Sequence, residues 1–112
     1  MSNLRNSVRL IGNVGQTPEI KTLDKGQKVA KFSMATNEHY YDKAGQKVTN
    51  TYWHNLVAWG KTADIIENYV SKGQEIAIEG KLTNRNYQTK EGDTRYITEI
   101  VINEVALLGA KN

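Results

Sequence analysis

Apolar and polar residues alternate with period two along most of this chain, and the pattern is cleanest from Trp53 to Trp59, where it stops at Gly60-Lys61. In an extended strand Trp53, Asn55, Val57 and Trp59 share one face, and Tyr52, His54, Leu56 and Ala58 share the other. The second face can enter a core and leave two indoles on the first as a stacking platform. The same alternation runs from Ser7 to Val14, where Gly12, Gly15 and Pro18 predict a bulge or bend near the strand's end. It returns from Val29 to Thr36, with Ala30, Phe32 and Met34 facing the core and Lys31, Ser33 and Ala35 facing out, and the strand continues through Tyr41. Asp24-Lys25-Gly26 predicts a turn before it. The polar run from Asp42 to Asn50 predicts a mobile hairpin tip after it.

One segment changes period. From Thr62 to Lys72, Ile65 and Tyr69 together with Ile66 and Val70 form i,i+4 pairs along one stripe, and Gly73 follows in the position of a left-handed C-cap. This segment is predicted to be the single helix. Glu75 to Leu82 alternates again, with Ile76, Ile78, Gly80 and Leu82 on one side, and Lys90-Glu91-Gly92-Asp93 connects it to a long last strand from Thr94 to Leu108. Three strands, a helix and two strands is the plan of the OB-fold. That fold is an all-β, five-stranded Greek-key barrel, here with one α-helix between strands 3 and 4, whose sheet face and loops bind oligonucleotides or oligosaccharides. No repeat, low-complexity tract or linker divides residues 1–112, which read as a single domain.

Composition narrows the partner more than the fold. A chain of 112 residues can bury a core without metal or disulfide. It has no cysteine, which excludes a disulfide framework and a thiolate metal site and fits a reducing compartment. Fifteen Lys and Arg against twelve Asp and Glu give a formal charge of +3, a mild bias that permits an anionic partner. Met1 to Asn6 has no apolar signal segment, and no stretch approaches the roughly eighteen apolar residues of a membrane span, so a soluble cytoplasmic protein is expected. His39 and His54 stand fifteen residues apart without Cys or a carboxylate cluster, which is not the spacing of a metal or catalytic site. Gly60-Lys61-Thr62 lacks the upstream glycine of a phosphate-cradling loop. No catalytic residue, metal or cofactor is expected, and the chain reads as a binding protein rather than an enzyme.

Six words then carry a family resemblance: Ser7-Val8-Arg9-Leu10-Ile11-Gly12-Asn13-Val14-Gly15 with Pro18-Glu19, Phe32-Ser33-Met34-Ala35-Thr36, Trp53 through Lys61, Lys72-Gly73, Ile78-Glu79-Gly80, and Arg95-Tyr96-Ile97-Thr98-Glu99. In order and spacing, over almost the whole chain, they resemble the bacterial single-stranded DNA-binding protein family (SSB). The resemblance implies an OB-fold that binds and protects single-stranded DNA without sequence preference in DNA replication, recombination and repair. It also implies a nucleoid-associated location and a homotetramer, with a dimer as the alternative.

It further assigns roles residue by residue. Trp53, Trp59, Tyr40 and Tyr87 match the family's base-stacking positions. Tyr40 and Tyr87 stand where the family often has tryptophan, and Trp59 where it often has phenylalanine, so the sheet positions are expected to carry more of the stacking than the loop positions. Lys43, Lys61, Lys72 and Arg85 match positions that approach phosphate, with Lys31, Lys47 and Lys81 adding charge. Lys21, Lys25, Lys28 and Lys111 read as solubilising. Asn55 stands where a basic residue is common, and His54 matches a structural histidine near a subunit interface. Large aromatics are more often buried than displayed, and Tyr52, Tyr69 and Tyr96 keep that core reading. Tyr41 is left open.

Assembly is expected through the first strand, around Asn6 to Leu10, pairing with its own copy across a twofold axis, and through outward positions near Ala77 and Glu79. Family members typically continue into a flexible linker with an acidic tip that recruits replication and repair enzymes. This chain stops at the basic Leu108-Gly109-Ala110-Lys111-Asn112. It reads either as an isolated binding domain or as a naturally short, phage-type or mobile-element relative without a C-terminal tail, and such recruitment is not expected. The other readings are a primosomal accessory OB protein and an oligosaccharide-binding OB module; the lysines around the indoles favour a polyanion over a neutral sugar.

Overall fold

The computed structural model describes residues 5–108; the expected basic end at 109–112 lies outside them. The elements in chain order are β1 (Val8–Val14), β2 (Glu19–Thr22), β3 (Lys28–Tyr41), β4 (Lys47–Trp59), α1 (Gly60–Tyr69), β5 (Glu75–Gln88) and β6 (Thr94–Leu107). Five strands in the order β1-β5-β6-β4-β3 close into the expected OB-fold barrel. Two contacts complete the closure: β1 meets β3 at Asn13–Ala35 and Val14–Met34, and β4 runs parallel to β6 at Leu56–Ile100 and Val57–Val101. Strand β2 is an addition to the predicted plan. It lies on the outer edge of β3, pairing Glu19 with Lys31 through to Thr22 with Lys28, and its half-buried Ile20 packs on the core.

The alternation places the core where the barrel has walls on every side. Met34, Leu56 and Ile76 are fully buried among Val14, Ala30, Phe32, Ala58, Ile78, Ile100 and Ile102. Beyond the barrel the β3–β4 and β5–β6 ladders continue as two-stranded arms, as far as Tyr41–Lys47 and Gln88–Thr94. The Cα radius of gyration is accordingly 16.2 Å, against about 13 Å for a compact domain of this length. On the arms an inward-parity side chain faces no opposite wall. That corrects two core assignments: Tyr52 and Tyr96 are exposed, Tyr96 at 74%, and Leu82, on the side of Ile76 and Ile78, is exposed as well. Conversely Ala35, expected outside, is buried directly across the ladder from Trp53, within reach of its ring.

The polar segment after Tyr41 is also more ordered than its composition suggests. The ladder persists to Lys47, and only residues 42–46 turn. Asp42 Oδ1 accepts the amides of Ala44 and Gln46, at 2.9 Å each, and its own carbonyl accepts that of Gly45 at 3.0 Å. This is a side-chain-closed turn of the kind that aspartate favours.

The helix is shorter than predicted, ending at Tyr69 because Val70 is extended (φ −103°, ψ 126°). Its buried stripe is Ala63, Ile66 and then Val70, while Ile65 and Tyr69 point to solvent, which corrects the core reading of Tyr69. It lies against β3, β4 and β6. Lys28, taken as solubilising, ties β3 to this helix: its Nζ lies 2.7 Å from Asp64 and 2.6 Å from Glu67. Those hydrogen bonds push its pKa up to about 12 from 10.5.

Two tests follow from this architecture. A Cβ on Gly12 would sit 2.2 Å from the Ala35 carbonyl oxygen, backbone that cannot swing aside, so Gly12→Ala is expected to cost about 3 kcal/mol in urea denaturation. For Lys28 the raised pKa means stabilisation that is complete below 10.5 and fades as pH rises toward 12. The stability gap between the parent and Lys28→Met should therefore hold constant from neutral pH to about 10 and narrow above it.

Candidate nucleic-acid interface

The outward residues of β3, β4, β5 and β6 form one continuous face. Cross-strand pairs share a side of the sheet, so the ladders Ser33–Asn55, Ala35–Trp53, Thr83–Glu99, Arg85–Ile97 and Tyr87–Arg95 bring their side chains together there. Trp53 is 63% exposed. It is seated on the bare backbone of Gly15, where an added Cβ would stand 2.4 Å from the indole ring and 2.8 Å from Ser33 Oγ. A hollow of about 320 Å³ opens beside it, lined by Gly15, Gln16, Ser33 and Trp53. Trp59, 40% exposed, ends the same strand face across from buried Val29 and forms the N-cap position of α1.

The remaining stacking candidates separate. Tyr87 lies on the Trp53 side, out on the β5–β6 arm opposite Arg95. Tyr40 pairs with Val48, and alternation puts it on the other face of the β3–β4 arm, together with Tyr52; both are about half exposed. Tyr41, more exposed still, shares the Trp53 parity. A strand lying on the sheet face meets Trp53, Trp59 and Tyr87 directly and reaches Tyr40 only by wrapping the arm.

The basic residues also divide. Lys61 is exposed in the first turn of α1, which carries no acidic residue and no side-chain cap, so helix dipole and lysine both favour an anion there. Lys72 is exposed in the turn whose Gly73 amide donates to the Val14 carbonyl at 2.7 Å, next to the Gly15 seat of Trp53. Lys43 sits in the turn at the tip of the β3–β4 arm, whose ladder ends at Lys47, six residues or about 20 Å from Trp53. Arg85 is not a free cation. Its Nε donates to Glu99 Oε1 at 2.9 Å and its Nη2 to Oε2 at 3.3 Å, which raises the guanidinium's pKa further.

Glu99, Arg95 and the Gly15 seat were missed as site features. Glu99 had one legible sign, an acid on the outward parity between Ile97 and Val101, but its partner depends on the β5–β6 register. The two histidines stay apart: His54 bonds Thr36 (3.0 Å) and His39 bonds Thr49 (2.9 Å), five ladder steps away on opposite faces. Among the described residues no three His, Asp or Glu converge on a metal position.

The Gly15 seat predicts that Gly15→Ala lifts the Trp53 indole. In a Trp59→Phe background, where Trp53 is the only fluorophore of its kind, its emission should shift measurably while the melting temperature falls only a few degrees.

Comparison with known proteins places this geometry. The model of the Single-strand binding protein family matches residues 5–108. The chain is 44% identical over 108 residues to the single-stranded DNA-binding protein 1 of Chlorobaculum tepidum, covering 96% of this chain and 67% of that protein. It is 41% identical over 107 residues to the single-stranded DNA-binding protein of Neisseria meningitidis, covering 96% and 62%. It thus spans about two thirds of the length of these relatives. Among solved structures, a Plasmodium falciparum SSB in complex with ssDNA superposes with a TM-score of 0.81 at 37% identity, covering 95% of both chains. With the barrel, the outward tryptophans and a family match across every described residue, the chain belongs to the single-strand binding protein family.

Proposed function

We propose that this chain binds single-stranded DNA with little regard to sequence, by stacking bases on Trp53, Trp59, Tyr87 and Tyr40 and pairing phosphates with Lys61, Lys72 and Lys43. The observation that carries the reading is Trp53: a 63% exposed indole packed against the bare backbone of Gly15, with an open hollow beside it. Every base has a π-face, so such a ring attaches any sequence. The relatives are named for the same ligand, and one solved neighbour is a complex with ssDNA. The role is non-catalytic protection of single strands during replication, recombination and repair in the cytoplasm, at the nucleoid. Among the described residues no helix is long and apolar enough to cross a membrane.

Assembly as a homotetramer, or a dimer, fits two features. From Val8 to Gly12 strand β1 pairs with β5 on one side only, which leaves an edge for a second copy. On the outside of the barrel Ile11, 61% exposed, stands across from Ala77, which is paired in turn with Ala106.

Four outcomes test this. Oligo-dT should quench tryptophan fluorescence strongly; quenching by oligosaccharides alone would replace the assignment. Trp53→Ala and Trp59→Ala should each weaken oligo-dT binding by about 1–3 kcal/mol, and Tyr40→Ala by less; the reverse order removes the sheet-first ranking. Affinity should fall with salt, and Lys61→Ala should flatten the log–log slope by about 0.7, whereas Arg85→Ala changes it little because Glu99 already neutralises that charge. Light scattering should report a multiple of the 12.6 kDa chain that Ile11→Glu reduces.

A further inference from the structure

The groove beside the Trp53 seat holds a negative charge that phosphate binding does not use. It has a volume of about 330 Å³, and it adjoins the Trp53 hollow, sharing Gln16 and Ser33 with it. The Glu99 side chain lies in its lining, 11% exposed, and the Arg85 side chain, half exposed, covers it from the β5 side. The charged groups in the lining cancel, Lys31 and Arg85 against Glu19 and Glu99. A phosphodiester laid here gains no net attraction and meets a fixed carboxylate that has only acceptors to offer.

A base edge meets something different. Each Glu99 oxygen takes one Arg85 hydrogen and has a further lone pair, while the guanidinium keeps unused N–H donors. The pair therefore displays an acceptor beside a donor. Cytosine carries the complement, an exocyclic amino donor next to a ring-nitrogen acceptor, and carboxylates accept from that amino group. Uracil, with the same ring, presents an oxygen where cytosine has the amino group.

We propose that this groove is a base-edge pocket in which Glu99 accepts the exocyclic amino group and Arg85 donates to the neighbouring ring acceptor, so that DNA crosses it with bases inward and phosphates outward, cytosine being preferred over the amino-less pyrimidines uracil and thymine. The proposal rests on the single-stranded DNA reading and adds a base preference to sequence-tolerant stacking. Glu99 is a specificity-determining residue, and Arg85 serves as its partner rather than as a phosphate anchor.

The test is fluorescence titration at pH 8 with oligo-dC and oligo-dU of equal length. The parent chain should bind oligo-dC about fivefold more tightly, the lower end of what a base-edge contact supplies, and Glu99→Gln should bring the ratio toward one. Equal parent affinities, or a ratio unchanged in Glu99→Gln, would overturn the proposal while leaving the DNA-binding reading intact. It is also overturned if Glu99→Gln tightens both oligomers alike and steepens the salt slope, since Glu99 then only repels phosphate. Binding of neither oligomer, nor of oligo-dT, overturns the underlying reading itself. A measurement on the unmutated chain guards against misfolding of the variant: an oligomer of N4,N4-dimethylcytosine, which keeps the ring and loses the amino donors, should fall to the oligo-dU level, and retention of the oligo-dC affinity refutes the pocket.

Discussion

Backbone-to-backbone contact at two glycines is the constraint on which the barrel depends. At Gly12 a side chain would begin 2.2 Å from the Ala35 carbonyl oxygen, and at Gly80 it would begin 2.1 Å from that of Val101. The first contact is where β1 swings from β5 to β3 and closes the sheet; the second is at the register shift between Glu79 and Gly80, where β5 bends over β6. A small barrel needs sharp coiling at such corners, and only a residue without a Cβ lets one backbone pass this close to another. Without both approaches the parallel β4–β6 contact that shuts the far side has nothing to bring it together.

The Trp53 face, the proposed binding surface, is anchored by that closure. Gly15 follows directly after the β1–β3 junction, so the bend that shuts the barrel also lays bare backbone under the Trp53 indole. The turn carrying Lys72 is bonded to the same strand end at Val14, and Lys61 follows Trp59 into the helix that caps the core. Ring and charge are thus mounted on rigid elements at the barrel, whereas Tyr40, Tyr87 and Lys43 ride on two-stranded arms with no opposite wall. For the proposed stacking, a ring on the sheet would lose less ordering entropy than one on an arm, which would add to the advantage of the larger indole.

Much of this was legible along the chain because period-two alternation reports the buried side wherever a wall stands opposite. Ala30, Phe32, Met34, Leu56, Ile76 and Ile78 are buried as their parity requires. The same rule misplaced Tyr52 and Tyr96, since parity says which face a residue takes and not whether that face is covered. It could not distinguish Ile65 from Ile66 on the helix, where neighbouring apolar residues fall on both sides of the stripe. The short β2 had only four residues to announce itself, one of them apolar.

What the sequence by itself determined is the order of the five barrel strands and the helix, the core layers, the two outward tryptophans and the family, because these follow from local periodicity and from words read in order. The tertiary structure alone decided which outward residues become neighbours. Arg85 and Glu99 are fourteen positions apart and meet only because the β5–β6 ladder sets their register. Lys28 turns from a surface charge into a clamp once α1 folds against β3. Register and closure are long-range properties, and no local pattern of side chains encodes the distance across a sheet.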